Sequence, residues 1–157
     1  MSIQVGEKIP AVTLKETSMQ DITTLDLFGG RKLVVFAVPG AFTPTCSEQH
    51  LPGFIDKADE IKAKGVDEIV CISVNDAFVM GAWGKDRGAG DKVRLLADGN
   101  GDFAKALGLD FDGSGIGFGT RCQRFAMVVD DGVVSMVAVE KPMKFEVSSA
   151  EAVLAAL

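Results

Sequence analysis

Apolar residues along this chain fall either into continuous runs or into segments with helical spacing. The runs at 32–38 and 68–74 are rich in β-branched residues and predict strands that are covered on both faces. A helical stretch over 44–64 separates them, and Pro52 should kink it. Two buried strands joined by a helix are typical of the parallel crossover unit of an α/β protein.

The rest of the chain is predicted from helix caps and turns. The elements are, in order, a helix from Asn75 or Asp76 to about 87, a strand at 93–97, a helix at 102–107 closed by Gly108, a glycine-rich loop at 112–120, a hairpin of 123–129 and 133–139 around Asp130-Asp131-Gly132, and a helix at 150–157 capped by Ser148 or Ser149. This order predicts one domain, residues 1–157, with a thioredoxin-like α/β fold in which helices flank a central mixed β-sheet.

Charge and hydropathy narrow the classes of function. The formal net charge of −6 argues against nucleic acid and anionic lipid as partners, since both are bound by basic surfaces. No apolar run reaches the roughly 20 residues that span a bilayer. The first residues lack the basic and apolar regions of a secretory signal, so we expect a cytoplasmic protein without a membrane partner.

Cysteine is the residue type with the clearest chemical potential. The three cysteines, at 46, 71 and 122, form no CxxC pair and no Cys/His cluster, so we expect neither a metal nor another cofactor. Cys46 follows a buried strand and a proline-containing loop, and it lies in the first turn of a predicted helix. Unpaired N–H groups at such a position favour the thiolate, which is the nucleophilic form.

Thr43 precedes Cys46 by one helical turn, a spacing like that of a thioredoxin CxxC in which oxygen replaces the first sulfur. Simpler interpretations remain open for both residues. A free cysteine is most often buried for packing, and a threonine here could be a plain helix cap. His50, the only histidine, lies one turn beyond Cys46, and we favour a packing or hydrogen-bonding role for it over that of a base.

The stretch from Pro39 to Phe54, PGAFTPTCSEQHLPGF, resembles the active-site segment of peroxiredoxins, and in particular the type II, or peroxiredoxin-5, branch. The pattern RCQRF at 121–125 and the end FEVSSAE at 145–151 are also similar to that branch. The resemblance implies that Cys46 attacks the peroxide and that Thr43 hydrogen-bonds both the sulfur and the peroxide. It further implies that Pro39 shields the pocket from water and that Arg124 supplies the positive charge.

By this resemblance the chain is a thiol-dependent peroxidase for hydrogen peroxide and organic hydroperoxides. It would form a Cys46 sulfenic acid, be recycled by glutathione and glutaredoxin or by thioredoxin, and act as a homodimer. Cys71 and Cys122 are candidate resolving cysteines. We interpret Cys71 as structural because it lies inside a buried strand. Cys122 should be accessible and on the same strand face as Arg124, opposite Arg121.

Two alternatives stay open from the sequence. A thioredoxin-like disulfide oxidoreductase would share the fold but normally has a cysteine where this chain has Thr43. A non-catalytic, redox-regulated binding module would require the residues around Cys46 to be incidental. Trp83 and the phenylalanines at 42, 78 and 118 are first interpreted as core, and the family resemblance makes some of them candidates for a homodimer contact.

Overall fold

A computed structural model describes residues 2–157. The strands are β1 (Thr13–Glu16), β2 (Asp21–Thr23), β3 (Lys32–Val38), β4 (Glu68–Ser73), β5 (Arg94–Ala97), β6 (Asp110–Asp112), β7 (Thr120–Cys122), β8 (Phe125–Asp130) and β9 (Val133–Val139). The helices are α1 (Thr24–Phe28), α2 (Leu51–Asp56), α3 (Ala58–Lys62), α4 (Ala77–Asp86), α5 (Asp102–Leu107) and α6 (Ala150–Ala156). A π-helical turn covers Cys46–His50, and a 3-10 turn covers Ser114–Ile116.

Seven strands form one mixed sheet in the order β2-β1-β5-β4-β3-β8-β9. The central strands β3, β4 and β5 are parallel, whereas β8 and β1 join them antiparallel on either side. Strands β6 and β7 form a separate two-stranded ribbon. The expected central mixed sheet with flanking helices is confirmed, and the parallel strands bring the ends of β3 and β4 to one edge.

Each face of the sheet carries its own apolar layer because the side chains of a strand alternate. On β3, Val34, Phe36 and Val38 point into the layer that contains Cys46, which we call the Cys46 face. That face is covered by α2, α3, α4 and α6. The opposite face receives the intervening residues of β3 and is covered by α1 and α5. The core is therefore divided into two layers, and only the first of them contains Cys46.

The predicted helix over 44–64 is not one helix kinked at Pro52. The π-helical turn lies ahead of α2, and the chain breaks again at Lys57, between α2 and α3. In the π-helical turn the N–H of Leu51 donates to the carbonyl of Cys46, five residues back. This wider turn ends beside Pro52, the residue that has no N–H to donate into the helix.

Other differences lie in short elements and exposed aromatics. Strands β1 and β2 and helix α1 were not predicted, and the segment expected to be a loop contains a 3-10 turn between the two strands of the ribbon. Trp83 is fully buried, as expected. Phe42 and Phe78 are 50% and 71% exposed, so their assignment to the core is wrong.

Candidate functional site

The loop that follows β3 is held in place by hydrogen bonds from two sides. The backbone N–H of Ala41 donates to the Asn75 side chain at 3.0 Å, and Asn75 itself follows the neighbouring strand β4. The Thr43 hydroxyl donates to the Gly40 carbonyl at 2.7 Å. Between them, Phe42 adopts a φ of +63°, which is uncommon for a residue with a side chain. These contacts fix where the helix that carries Cys46 begins.

Cys46 lies at the start of the π-helical turn and has no exposed surface. A sulfur in the first turn of a helix would normally be reachable from solvent, but in this conformation it is enclosed. The sulfur is nevertheless not in a purely apolar setting, because Arg124 Nη2 donates to Cys46 Sγ at 3.0 Å. A guanidinium at this distance stabilises negative charge on the sulfur. The arrangement is that of a shielded nucleophile with a fixed cation beside it.

The same guanidinium binds His50. Arg124 Nη1 lies 2.8 Å from His50 Nδ1, and because arginine has no acceptor, Nδ1 must accept this hydrogen bond. The other ring nitrogen, Nε2, then carries the proton and donates to the Ser148 carbonyl at 2.9 Å. Burial and the adjacent Arg124 charge lower the pKa of His50 to about 3. Both ring nitrogens are thus occupied, which supports the hydrogen-bonding role over that of a base.

The lowered pKa of His50 predicts an acid-sensitive contribution to stability. An exposed histidine in the unfolded chain takes up a proton near pH 6.5, whereas the folded ring stays neutral down to about pH 3. The stabilisation is complete above about pH 6.5 and is lost as the pH falls toward 3. We expect the free energy of unfolding in urea to fall less steeply between about pH 7 and 4.5 in His50→Phe than in the wild type. Parallel pH profiles would contradict this assignment.

The remaining residues expected at the site make backbone contacts. The Thr43 hydroxyl donates to the Gly40 carbonyl rather than to the Cys46 sulfur, and its free lone pairs remain available as acceptors. Pro39 is half-buried, and its carbonyl accepts from Arg121 Nη1 at 3.3 Å. Pro39 and Thr43 therefore lie in the loop before Cys46, as their sequence positions require.

Arg121 and Arg124 were expected on opposite faces of one strand, but no single strand contains them both. Arg121 is in β7 and Arg124 lies between β7 and β8, so the alternation does not carry across. The two side chains make different contacts. Arg121 stacks over the Phe118 ring, with its Cζ 5.1 Å from the ring centroid, and supports the loop at Pro39, while Arg124 contacts the sulfur. A Cβ at Gly40 would lie only 3.0 Å from Arg121 Nη1, so a larger residue there would push this guanidinium aside.

All three cysteines are free thiols and all are buried. Cys71 lies in the middle of β4, on the Cys46 face, and burial is the main cause of its raised pKa, with Cys46 adding to it. Cys122 was expected to be accessible and near the pocket, and both expectations are wrong. It is 3% exposed and packs on the opposite face of the sheet, where burial and then the carboxylates of Asp98 and Asp110 raise its pKa.

Sequence reasoning missed a group of residues behind Arg124. Ser148 binds His50, Glu140 binds Ser148, and the Phe145 ring lies 5.0 Å from the His50 ring and 5.8 Å from the Arg124 guanidinium carbon. The sequence carries two signals: Glu140 is an acidic residue directly after the apolar strand β9, and Phe145 and Ser148 belong to the FEVSSAE segment that resembles the family. Neither signal indicates the contacts with His50 and Arg124.

Within residues 2–157, no three or more His, Cys, Asp or Glu side chains come together in a group that could hold a metal ion. No helix in the same range is long and apolar enough to cross a membrane. The groups that the structure brings together at this site are the Cys46 sulfur, the Arg124 guanidinium and the Thr43 hydroxyl in the loop before Cys46.

Comparison with known proteins gives consistent matches. Residues 4–154 match the model of the family described as Redoxin. The chain is 51% identical to peroxiredoxin-2E, a chloroplastic protein of Arabidopsis thaliana, over 99% of this chain and 70% of that protein. It is 47% identical to Arabidopsis peroxiredoxin-2B over 99% and 98% of the two chains. The crystal structure of reduced Prx3 from Vibrio vulnificus in complex with hydrogen peroxide superposes with a TM-score of 0.95, at 55% identity and 99% coverage of each chain.

Proposed function

Because this chain belongs to the redoxin family, as a type II peroxiredoxin with thiol-dependent peroxidase activity, we propose that Cys46 is the residue that attacks the peroxide. One observation carries this assignment. Arg124 directs an N–H at the Cys46 sulfur from 3.0 Å, whereas neither Cys71 nor Cys122 has a cation as a hydrogen-bond donor. Among the three sulfurs, only that of Cys46 combines a helix start with a fixed positive charge.

The proposed reaction is a displacement at oxygen. The Cys46 thiolate attacks the terminal oxygen of the hydroperoxide, an S–O bond forms, and the O–O bond breaks. The departing oxygen takes up a proton and leaves as water or an alcohol, and Cys46 remains as the sulfenic acid. Arg124 stabilises the charge as it moves from sulfur to the departing oxygen. Pro39 and Thr43, in the loop before Cys46, would flank the bound peroxide, and the Thr43 hydroxyl would turn from the Gly40 carbonyl toward it.

Hydrogen peroxide and organic hydroperoxides are the proposed substrates. The burial of Cys46 supports this choice, since a fully covered sulfur is reached more readily by a small molecule than by a disulfide on another protein. The Vibrio relative was crystallised with hydrogen peroxide, which is further support.

External thiols are the proposed reductants of the sulfenic acid. The burial of Cys71 and Cys122 supports this scheme, because an internal disulfide would require two buried sulfurs to move, whereas an external thiol requires only the segment around Cys46 to open. One glutathione thiol would displace water from the sulfenic acid to form a mixed disulfide. A second thiol, from glutathione, glutaredoxin or thioredoxin, would then displace the Cys46 thiolate. Cys71 and Cys122 would have structural roles.

Mass spectrometry of the intact protein tests this scheme. After one equivalent of hydrogen peroxide we expect the mass to rise by one oxygen, and with glutathione present we expect a single glutathione adduct. Cys46→Ser, treated in parallel, should gain neither. A loss of two hydrogens would instead indicate an internal disulfide, and peptide mapping would then show whether Cys71 or Cys122 is the partner.

We also propose that the protein is a homodimer in the cytoplasm. The dimer is supported by the exposed rings of Phe42 and Phe78, which belong to neighbouring segments because Ala41 is hydrogen-bonded to Asn75, just before α4. The location is supported by three thiols that are all free, as is usual in a reducing compartment.

A further inference from the structure

We propose that Glu140 is a positioning residue for Arg124, acting through Ser148 and His50. This inference rests on the proposed role of Arg124 beside Cys46. Glu140 lies directly after β9, far from Cys46 in sequence, and it touches neither the sulfur nor the loop before it. Its effect would be on where the guanidinium is held.

One oxygen of the Glu140 carboxylate accepts several hydrogen bonds from the segment that follows β9. Glu140 Oε2 accepts hydrogen bonds from the backbone N–H groups of Glu146, Val147 and Ser148, each at 2.8 Å, and from the Ser148 hydroxyl at 2.7 Å. Glu140 is only 6% exposed. Hydrogen bonds to an ionised acceptor are stronger than those to a neutral one, so the charge fixes this turn firmly.

The clamped segment closes a ring of hydrogen bonds around Arg124. The Ser148 carbonyl accepts from His50 Nε2 at 2.9 Å, and His50 Nδ1 accepts from Arg124 Nη1 at 2.8 Å. The ring closes through the backbone, because the N–H of Glu140 donates to the Arg124 carbonyl at 2.9 Å. Glu140 thus holds the main chain of Arg124 directly and its side chain through Ser148 and His50. The second guanidinium nitrogen, Nη2, is left for the Cys46 sulfur.

The charge of Glu140 is favoured in this setting. Burial alone would raise the pKa of Glu140, but the hydrogen bonds from Glu146, Ser148 and Val147 outweigh burial and hold the pKa below its usual value. The clamp is therefore ionised throughout the neutral range. Glutamine at this position would keep the shape and one acceptor oxygen but would lose the charge and place an amide in the same space.

Asp98 provides a matched control elsewhere in the fold. It is 4% exposed and likewise accepts two backbone N–H groups, from Phe103 and Ala104, at 3.0 Å each. It does so at the start of α5, on the face of the sheet opposite Cys46. Asp98→Asn therefore also removes a buried carboxylate that binds backbone N–H groups, without touching the ring around Arg124.

The test compares Glu140→Gln with Asp98→Asn. For each variant, the second-order rate constant for the reaction with hydrogen peroxide is measured and normalised to the folded fraction, which is determined by circular dichroism. We expect Glu140→Gln to lower this constant about 10-fold, less than the roughly 100-fold that a displacement of 1 Å can cost. Asp98→Asn should keep the wild-type constant. A Glu140→Gln protein that is less stable but reacts at the wild-type rate would overturn the inference.

A double-mutant cycle tests the route through His50. In His50→Phe the ring shape is kept but both nitrogens are lost, so the hydrogen-bonded route from the Glu140 side chain through Ser148 and His50 to the guanidinium is cut. Glu140→Gln should then cause no further loss of rate in that background, and an equal loss in both backgrounds would exclude the route. If substitution of Cys46 or Arg124 also leaves the rate unchanged, the proposed function itself fails. If only Glu140→Gln is without effect, the inference alone fails.

Discussion

Cys46→Ser is expected to lower peroxide turnover by a factor of at least about 1,000, which is the scale on which loss of a nucleophile acts. A serine hydroxyl stays protonated at neutral pH and is a weak nucleophile. It can still accept the hydrogen bond from Arg124 Nη2, so the fold should be retained. The measurement is consumption of hydrogen peroxide with dithiothreitol as reductant, and urea unfolding checks stability.

Cys122→Ala is the matched control for that substitution. It also removes one buried thiol, but from the opposite face of the sheet and away from Arg124. We expect it to retain turnover while losing some stability, since a small cavity replaces the sulfur. Full turnover in Cys46→Ser would contradict the assignment and would favour the alternative of a non-catalytic, thioredoxin-like binding module.

The central strands could be predicted because their signal is local. The run at 32–38 coincides with β3, and the run at 68–74 differs from β4 by one residue. Strands β1 and β2 have four and three residues, and of these only Leu14 is buried. They exist because β1 pairs with β2 on one side and with β5 on the other. Strands this short contain too few residues for an alternating pattern to stand out, and the pairing of β1 with β5 joins segments that are far apart in the sequence.

The site could be predicted as far as its residues lie in one continuous motif. Pro39, Thr43 and Cys46 share a single loop and helix start, and Arg124 followed from the family resemblance. Its hydrogen bond to the sulfur is now visible in the structure. The error at Cys122 came from extending strand alternation across the two residues that separate β7 from β8. Alternation holds only while the chain stays in one strand.

The contacts behind Arg124 could not be predicted because they join distant parts of the chain. His50 and Ser148 are 98 residues apart, and the bond between them depends on how α6 and the segment before it pack on the Cys46 face. The burial of Cys46 was missed for a related reason. A helix start is normally exposed, but here the sheet and its covering helices enclose the sulfur.

The geometry of Arg124 explains why a guanidinium is needed at this position. One terminal nitrogen donates to the Cys46 sulfur while the other donates to His50. Because the guanidinium is planar and rigid, the contact with His50 also orients the nitrogen that faces the sulfur. The Phe145 ring lies beside the same group, with the guanidinium carbon 5.8 Å from the ring centroid. An ammonium can supply the charge but cannot make the two contacts in one rigid plane.

Arg124→Gln is therefore expected to lower the rate constant for hydrogen peroxide by about 100- to 1,000-fold, the cost of losing one donor aimed at developing charge. The rate constant of Arg124→Lys should lie between those of Arg124→Gln and the wild type, because lysine keeps the positive charge but lacks the two parallel N–H donors of the guanidinium. Arg87→Gln removes a guanidinium from the end of α4, where it pairs with Asp86, and should react at the wild-type rate. The rates are measured under limiting peroxide with dithiothreitol in excess. If Arg124→Gln and Arg87→Gln react equally fast, the hydrogen bond to Cys46 has no part in the chemistry.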